Sequence, residues 1–414
     1  MIKRIKKFFK QLGPGLVTGA SDDDPSGITT YSQAGAQFGF STLWTALLTF
    51  PLMASLQETC ARIGLVSKKG LSCLLKEYYP KWLVVSILVV TTPAIILNIG
   101  SDIAGMGAVS HLLVPGIGAP LFSIFFTVVL IIAIIWIPYQ KMAMVLKYLC
   151  LSMLVYFIVP LMTHVDLKKV ITHTFIPTIK FDKEFLSILV AILGTTISPY
   201  LFFWQTVMEV EDVKKNKGVR RDKLLKDAKT DVNTGMLMSN LVMYFVILTT
   251  AVVLFQNGQH KIDTIEQAAS ALKPLAGKFA YYLFAIGVIG TGLLTIPVLG
   301  GTLSYIFSEA CGWKGSLDKK FFEAKSFYAV MIAALLIGLG INYIGLSPIK
   351  ALLYTAILYG LTAPVMIAVI MHIANNKKIM KDCVNGKRSN IMGWATFGIM
   401  SVAAIFLIYT SFSG

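Results

Sequence analysis

Three consecutive aspartates stand directly before a proline in the first apolar stretch of the chain. Asp22, Asp23 and Asp24 are followed by Pro25 and, two residues later, by Gly27. A proline removes a backbone donor and clashes with the preceding helical turn, and a glycine costs helix stability. Carboxylates at membrane depth are costly unless they face a cation or a wet cavity. The pattern predicts a cation site at a broken helix; the alternative is a plain loop before the next apolar run.

A second apolar stretch is interrupted at Ser198, Pro199 and Tyr200. A proline kink alone would be ordinary, but the two breaks each open a block of five apolar segments. Interrupted segments at matching positions in two halves are typical of an inverted-repeat transporter. A broken helix presents free carbonyls at the negative end of its dipole. Since neither break contains a basic residue, the pair favours a cation over an anion.

The composition requires a membrane around these segments. The chain has 414 residues, of which 56% are hydrophobic and 14% charged, and a mean hydropathy of +0.71. Soluble domains average about 25% charged residues. This excludes an ordinary soluble enzyme, a disordered regulator and a secreted disulfide scaffold. The five cysteines form no CxxC pair, so neither a disulfide framework nor a zinc site is predicted.

Long windows with few or no charges predict an all-α polytopic membrane protein with a single transmembrane domain over residues 1–414. The eleven windows are 14–37, 41–66, 82–110, 119–138, 144–163, 185–209, 231–256, 278–307, 326–345, 350–373 and 390–412. They divide into a first five-helix repeat at 14–163, an inverted second repeat at 185–373 and an extra helix at 390–412. No separate soluble domain is predicted.

The basic residues indicate the orientation. With the N-terminus inside, 29 of the 37 lysines and arginines fall in inner segments and 8 in outer ones. Cytoplasmic segments carry this excess, so we expect a cytoplasmic N-terminus and an extracellular C-terminus in the cell (plasma or inner) membrane. The net charge of +16 is therefore no sign of nucleic-acid binding. The expected partners are the bilayer and the transported ion, with the protein as a monomer.

Other polar residues in the windows allow two interpretations each. Asp102 is a lone acid in an apolar segment, which indicates a residue on the ion route or, alternatively, a packing acid. Tyr200 and Gln205 follow the second break at helical spacing and are candidates to line the ion path through water. Asn98 and Asn240 are interpreted as hydrogen bonders between helices rather than ligands. No histidine lies at the centre of a window.

The first break resembles a known motif. Residues 13–15 (Gly-Pro-Gly) followed by 24–27 (Asp-Pro-Ser-Gly) resemble the first helix of NRAMP divalent-metal transporters, whose motif reads Asp-Pro-Gly-Asn. Residues 198–200 resemble the family's Met-Pro-His helix. The resemblance implies a LeuT-like fold of two inverted five-helix repeats plus an eleventh helix. It also implies alternating access around a divalent cation.

The same resemblance implies a ligand set. The family's metal-binding aspartate falls on Asp24, and the backbone oxygens of Ser21 and Thr195 would face the ion. Ser198 and Gly27 take the positions of the family's methionine and asparagine. Asp23 would reach the ion through water.

The departures from the family pattern indicate a branch. Gly27 replaces an asparagine, Ser198 a methionine, Tyr200 and Gln205 replace histidines, and Gly105 replaces a glutamate three residues after Asp102. The pattern resembles the NRAMP-related magnesium transporters, a branch that carries Mg²⁺ and Mn²⁺ and lacks proton coupling.

Ligand chemistry points the same way. A thioether favours softer metals, whereas oxygen ligands suit Mg²⁺ and Mn²⁺, and Mg²⁺ usually keeps several waters. We therefore predict a secondary transporter of chiefly Mg²⁺, and also Mn²⁺, without proton coupling and without a cofactor.

Three other functions are alternatives. The nearest is a proton-coupled symporter of Mn²⁺ or Fe²⁺ of the main NRAMP type. A sodium-coupled carrier of organic solutes is more distant, because the aspartates would repel carboxyl groups. An enzyme is not predicted, since the sequence has neither an HExxH nor a GxSxG motif.

Overall fold

The computed structural model describes residues 13–139, 141–142, 155–163, 165–215, 218–343, 345 and 347–413. Over this part of the chain the regular structure is entirely helical. The α-helices are α1 Pro14–Asp22, α2 Pro25–Phe38, α3 Trp44–Ser67, α4 Leu71–Tyr78, α5 Lys81–Leu113, α6 Ala119–Trp136, α7 Val155–Met162, α8 Leu167–Phe175, α9 Lys183–Thr196, α10 Pro199–Lys215, α11 Arg221–Val253, α12 Ile265–Ser270, α13 Lys273–Ala276, α14 Ala280–Cys311, α15 Lys325–Ile341, α16 Pro348–Asn375, α17 Lys377–Met380 and α18 Lys387–Ser413. Short 3₁₀ helices lie at Gly39–Thr42, Phe255–Asn257, Gly277–Phe279, Phe321–Glu323 and Lys381–Cys383.

Seven helical stretches in the described ranges are long and apolar enough to cross a membrane. An eighth is added if Pro25–Thr42 and Trp44–Ser67, which meet at 109°, count as one bent span. Four of the eleven predicted windows fall outside the seven for identifiable reasons. The first is broken, the second belongs to the bent pair, the fifth is described only from residue 155, and the ninth is the 17-residue α15. The expectation of an all-helical polytopic protein is confirmed.

The first break lies between α1 and α2. Helix α1 ends at Asp22, and Asp24 adopts an extended conformation with φ −69° and ψ 172°. Asp24 is the N-cap of α2, and Pro25 takes the first helical position, where its missing N–H costs nothing. An aspartate followed by a proline is therefore a helix start, and the break follows from local chemistry.

The second break lies between α9 and α10. Helix α9 ends at Thr196, Ile197 leaves the helical region at φ −118° and ψ 54°, and α10 begins at Pro199. The Ser198 hydroxyl donates to the backbone oxygens of Thr195, at 2.7 Å, and Gly194, at 3.0 Å. The hydroxyl satisfies carbonyls that the end of α9 leaves free. Both predicted interruptions are present.

Glycines let the broken helices pack closely on their neighbours. A Cβ on Gly19 of α1 would lie 2.3 Å from the Gly235 oxygen of α11. A Cβ on Gly194 of α9 would lie 2.3 Å from the Gly360 nitrogen of α16. Small residues allow such close approach between membrane helices. The contacts place the first break against α11 and the second against α16.

One boundary differs clearly from the prediction. Helix α11 begins at Arg221, ten residues before the predicted window at 231. The segment that precedes the apolar part is rich in Lys, Leu and Asp and has no proline or glycine, so the helix continues beyond the apolar window. The helix therefore starts outside the apolar window that the sequence predicts.

Candidate cation-binding site

Asp24 is a buried carboxylate with neutral partners only. Its side chain is 3% exposed. Oδ1 accepts a hydrogen bond from the Gly27 backbone nitrogen at 2.7 Å, and Oδ2 accepts one from Asn98 Nδ2 at 3.1 Å. None of the ion pairs in the described ranges involves Asp24. A carboxylate held in this way can attract a cation, because no basic side chain already neutralises it.

The two breaks lie against each other. The Tyr200 hydroxyl, in the first turn of α10, donates to the Ser21 backbone oxygen at 2.9 Å, and Thr295 donates to the same oxygen at 3.3 Å. A Cβ added to Gly27 would lie 3.3 Å from the Thr195 hydroxyl. The end of α1 and the start of α2 therefore contact both halves of the second interrupted span.

Ser198 and Thr195 bond to each other at the second break. Because the Ser198 hydroxyl donates its proton to backbone oxygens of α9, its own lone pairs stay available. Gly27 contributes its backbone nitrogen to Asp24. The ligand roles that the resemblance implies for Ser21, Thr195, Ser198 and Gly27 remain predictions.

Asp22 and Asp23 share one donor on α11. The Ser239 hydroxyl lies 2.9 Å from Asp22 Oδ2 and 3.3 Å from Asp23 Oδ1, and both aspartates are buried. A hydroxyl has one proton, so it serves one carboxylate at a time. Asp22 Oδ1 has no hydrogen-bond partner. Within the described residues no group of three His, Cys, Asp or Glu side chains is arranged to hold a metal, so any ion here depends on neutral oxygens beside Asp24.

Comparison with known proteins identifies the family. Residues 15–410 match the family described as "Nramp: Natural resistance-associated macrophage protein-like". The chain belongs to the Nramp family. Two curated relatives are named "Divalent metal cation transporter MntH". The one from Caldanaerobacter subterraneus subsp. tengcongensis is 25% identical over 99% of this chain and 95% of its own length. The one from Clostridium acetobutylicum is 24% identical over 100% and 93%.

Solved structures show the fold of this Nramp chain. The manganese transporter of Eremococcus coleocola, in complex with an aromatic bis-isothiourea substituted compound, superimposes with a TM-score of 0.76 at 17% identity. The match covers 96% of this chain and 86% of that structure. Mhp1, a nucleobase-cation-symport-1 family transporter, gives a TM-score of 0.62 at 10% identity, over 97% of this chain and 93% of its own. The expected LeuT-like fold is confirmed.

In this Nramp chain Asp102 is buried on α5 beside the first break. Neither carboxyl oxygen accepts a hydrogen bond from a side chain of the described residues, and Asp24 is close enough to act on Asp102 electrostatically. One turn further along α5, a Cβ on Gly105 would lie 3.5 Å from the Pro25 Cβ. Asp102 therefore lies near the site, and no hydrogen bond between the described residues joins it to Asp24.

Gln205 has a different position from Tyr200. It accepts a hydrogen bond from the Thr18 hydroxyl at 2.5 Å and donates to Glu209 at 2.8 Å. The side chain thus joins α10 to α1, and Asp24 is not among its hydrogen-bond partners. Its predicted place on the ion path remains a prediction.

Asp231 was not singled out from the sequence. It accepts hydrogen bonds from the backbone nitrogens of Gly13, Gly15 and Leu16 at 2.8, 2.6 and 3.2 Å, so it caps the start of α1. Asn98, interpreted as a hydrogen bonder between helices, donates from α5 to Asp24. The available signal for Asn98 was its spacing of four from Asp102, which places both on one helix face.

Proposed function

We propose that this protein moves divalent metal cations across the membrane by alternating access around Asp24. The observation that carries the proposal is the buried Asp24 carboxylate, which sits at a helix break and accepts hydrogen bonds from neutral donors only. The relatives named above support it, since they are called divalent metal cation and manganese transporters rather than enzymes.

We propose Mn²⁺ and Mg²⁺ as the cargo. The names of the relatives favour Mn²⁺. Among the described residues, the hydrogen-bond partners of Asp24, Ser21 and Ser198 include no His, Cys or Met. Oxygen and water ligands suit both ions, and a site without sulfur gives Mn²⁺ less advantage over Mg²⁺. The preference for Mg²⁺ belongs to this proposal.

We propose that transport is uniport, in which the metal ion moves without coupled protons. The two positions at which the family pattern has histidines are Tyr200 and Gln205, neither of which titrates near neutral pH.

The second candidate is proton-coupled symport of Mn²⁺ or Fe²⁺. It is favoured by the name of the Eremococcus coleocola relative, which is called a manganese transporter. It is also favoured by Asp102, a buried acid that accepts no hydrogen bond from a side chain of the described residues and that could hold a proton.

Flux into proteoliposomes tests these proposals. Vesicles with the purified protein contain a metal-sensitive dye or a pH dye, and Mn²⁺, Fe²⁺ or Mg²⁺ is added outside. We expect Mn²⁺ and Mg²⁺ to enter without internal acidification. Metal entry with acidification would establish the proton-coupled alternative, and absence of flux for every divalent ion would overturn transport itself. Protein-free vesicles correct for leak.

A further inference from the structure

Asn98 is a side chain from another span that hydrogen-bonds to Asp24. It lies on α5, is 0% exposed, and its Nδ2 is 3.1 Å from Asp24 Oδ2. An ionised carboxylate only accepts hydrogen bonds, so the amide atom that faces it is the nitrogen. This contact fixes the orientation of the amide, and Oδ1 is the atom that points elsewhere.

The Asn98 oxygen is fully buried and has no hydrogen-bond partner in the part of the chain that the structure describes. Buried amide oxygens are rarely left without a partner, because desolvation costs free energy that a hydrogen bond or an ion must offset. In Asn98 the amide nitrogen has a partner and the amide oxygen is free. One side chain can therefore hold the carboxylate through its nitrogen and bind the same cation through its oxygen.

Other oxygens converge on this point. The Tyr359 hydroxyl of α16 lies beside the Asn98 side chain. The Tyr359 ring is 5.6 Å from the Tyr200 ring, whose hydroxyl binds the Ser21 oxygen. Side chains of α5, α10 and α16 thus meet beside the first break.

The first break itself has no space for an amide side chain. At position 27, where the resemblance places an asparagine, this chain has glycine. A Cβ there would lie 2.9 Å from the Asp22 backbone oxygen, closer than side chains tolerate. An amide ligand for the ion must therefore come from another element, and α5 places one on the same carboxylate.

We propose that Asn98 is a ligand of the transported cation, with Nδ2 on Asp24 and Oδ1 on the ion. The inference rests on the proposed function. An amide oxygen is a hard, neutral ligand of the kind that Mg²⁺ and Mn²⁺ accept. Because the amide oxygen adds no charge, it strengthens binding of the cation without holding it as tightly as a second carboxylate would. It also makes α5 one of the helices that determine which cation binds.

Mn²⁺ binding to purified full-length variants tests the ligand. Asn98→Leu keeps the volume and removes both polar atoms. Loss of a group that holds or supports a metal ligand costs 10–100-fold in affinity, so we expect the Mn²⁺ Kd from calorimetry to rise by about 10–100-fold. The matched control is Asn240→Leu, which removes another buried amide, one whose side chain bonds to Thr49 of α3 at 3.1 Å. Its Kd should stay at the wild-type value.

Direct contact is separated from positioning by diffraction. Crystals of the wild type with Mn²⁺ should show an anomalous peak at about 2.0–2.6 Å from Asn98 Oδ1, the range of hard dications bound to oxygen. Tyr359→Phe adds a second comparison. If Oδ1 only accepts a hydrogen bond from Tyr359, this variant should weaken Mn²⁺ binding as much as Asn98→Leu does.

The outcomes are distinguishable. A wild type that neither binds nor moves Mn²⁺ or Mg²⁺ defeats the proposed function. A wild type that transports, with Asn98→Leu retaining its affinity or with the Mn²⁺ peak out of bonding range of Oδ1, defeats the inference alone. If Asn98→Leu does not fold, as judged by thermal unfolding in detergent, Asn98→Ala and the wild-type peak decide.

Discussion

At the scale of single residues, Asp24 has two roles that can be separated. Its oxygen caps α2 through Gly27, and in the proposed function its charge attracts the cation. Asparagine caps helices about as well as aspartate but carries no charge. The structural role should therefore survive a substitution that removes the electrostatic one.

We expect Asp24→Asn to fold and to lose metal transport. The capping bond is kept, so the melting temperature in detergent should change by no more than a few degrees, while Mn²⁺ flux into proteoliposomes should fall to the level of protein-free vesicles. Asp166→Asn is the matched control, since Asp166 caps the exposed helix α8 through Lys169. Wild-type flux in Asp24→Asn would refute the central place given to this carboxylate.

Ser198 offers a second test, aimed at selectivity. Ser198→Met should shift the ratio of transport rates towards Mn²⁺ over Mg²⁺, because a thioether binds softer metals and contributes nothing to Mg²⁺. Competition of the two ions in the proteoliposome assay measures the ratio. Ser198→Leu has a similar volume without sulfur and should not favour Mn²⁺. If the methionine and leucine variants behave alike, the effect is one of space and the ligand argument is wrong.

At the scale of helices, the predictable features were the local ones. Asp24-Pro25 and Ser198-Pro199 interrupt helices through their own backbone chemistry, so the breaks could be predicted from the sequence. The hydrogen bond from Asn98 to Asp24 could not be predicted, because a buried asparagine has the same sequence signature whether it faces another helix or a carboxylate. Only the packing of α5 against α2 brings Asn98 to Asp24.

The contact between α1 and α11 gives a prediction at this scale. A methyl group at Gly19 meets the Gly235 backbone, which cannot move aside as a flexible side chain could. Gly19→Ala should therefore destabilise the protein, by about 1–3 kcal/mol as is typical of overpacking. Thermal unfolding in detergent measures the change.

Gly398→Ala is the control for that substitution. Gly398 also lies within a helix, α18, but a Cβ there would meet nothing within 4 Å. Alanine should be neutral there or stabilise the helix by up to about 1 kcal/mol. Equal destabilisation by both substitutions would contradict the close contact between α1 and α11.

At the scale of the whole molecule, the interrupted segments are explained by their place in the bundle. Helices α9 and α10 are buried among α3, α14 and α16, and α11 covers α1 and α2. The apolar faces of α6 and α18 are turned outwards, with Phe125 and Ile405 exposed. Unpaired backbone is tolerated at membrane depth only where protein or water surrounds it, which is the position that both breaks occupy.

The orientation of the bundle is the final prediction, and it rests on the distribution of charge. The inner segments carry 29 basic residues and the outer segments 8, so we expect the α5–α6 connection outside and the end of α14 inside.

Cysteine labelling measures this orientation. A cysteine at Gly116, where a side chain meets nothing within 4 Å, should react with an impermeant maleimide in right-side-out vesicles. The exposed Cys311, at the end of α14, should react only after the vesicles are opened. Gly116→Cys is therefore introduced on a background in which all five cysteines are replaced by serine, and a variant that keeps only Cys311 reports that position. Reversed labelling would invert the direction in which the two broken helices open, while labelling of both sites from outside would show that the number of crossings between them is even.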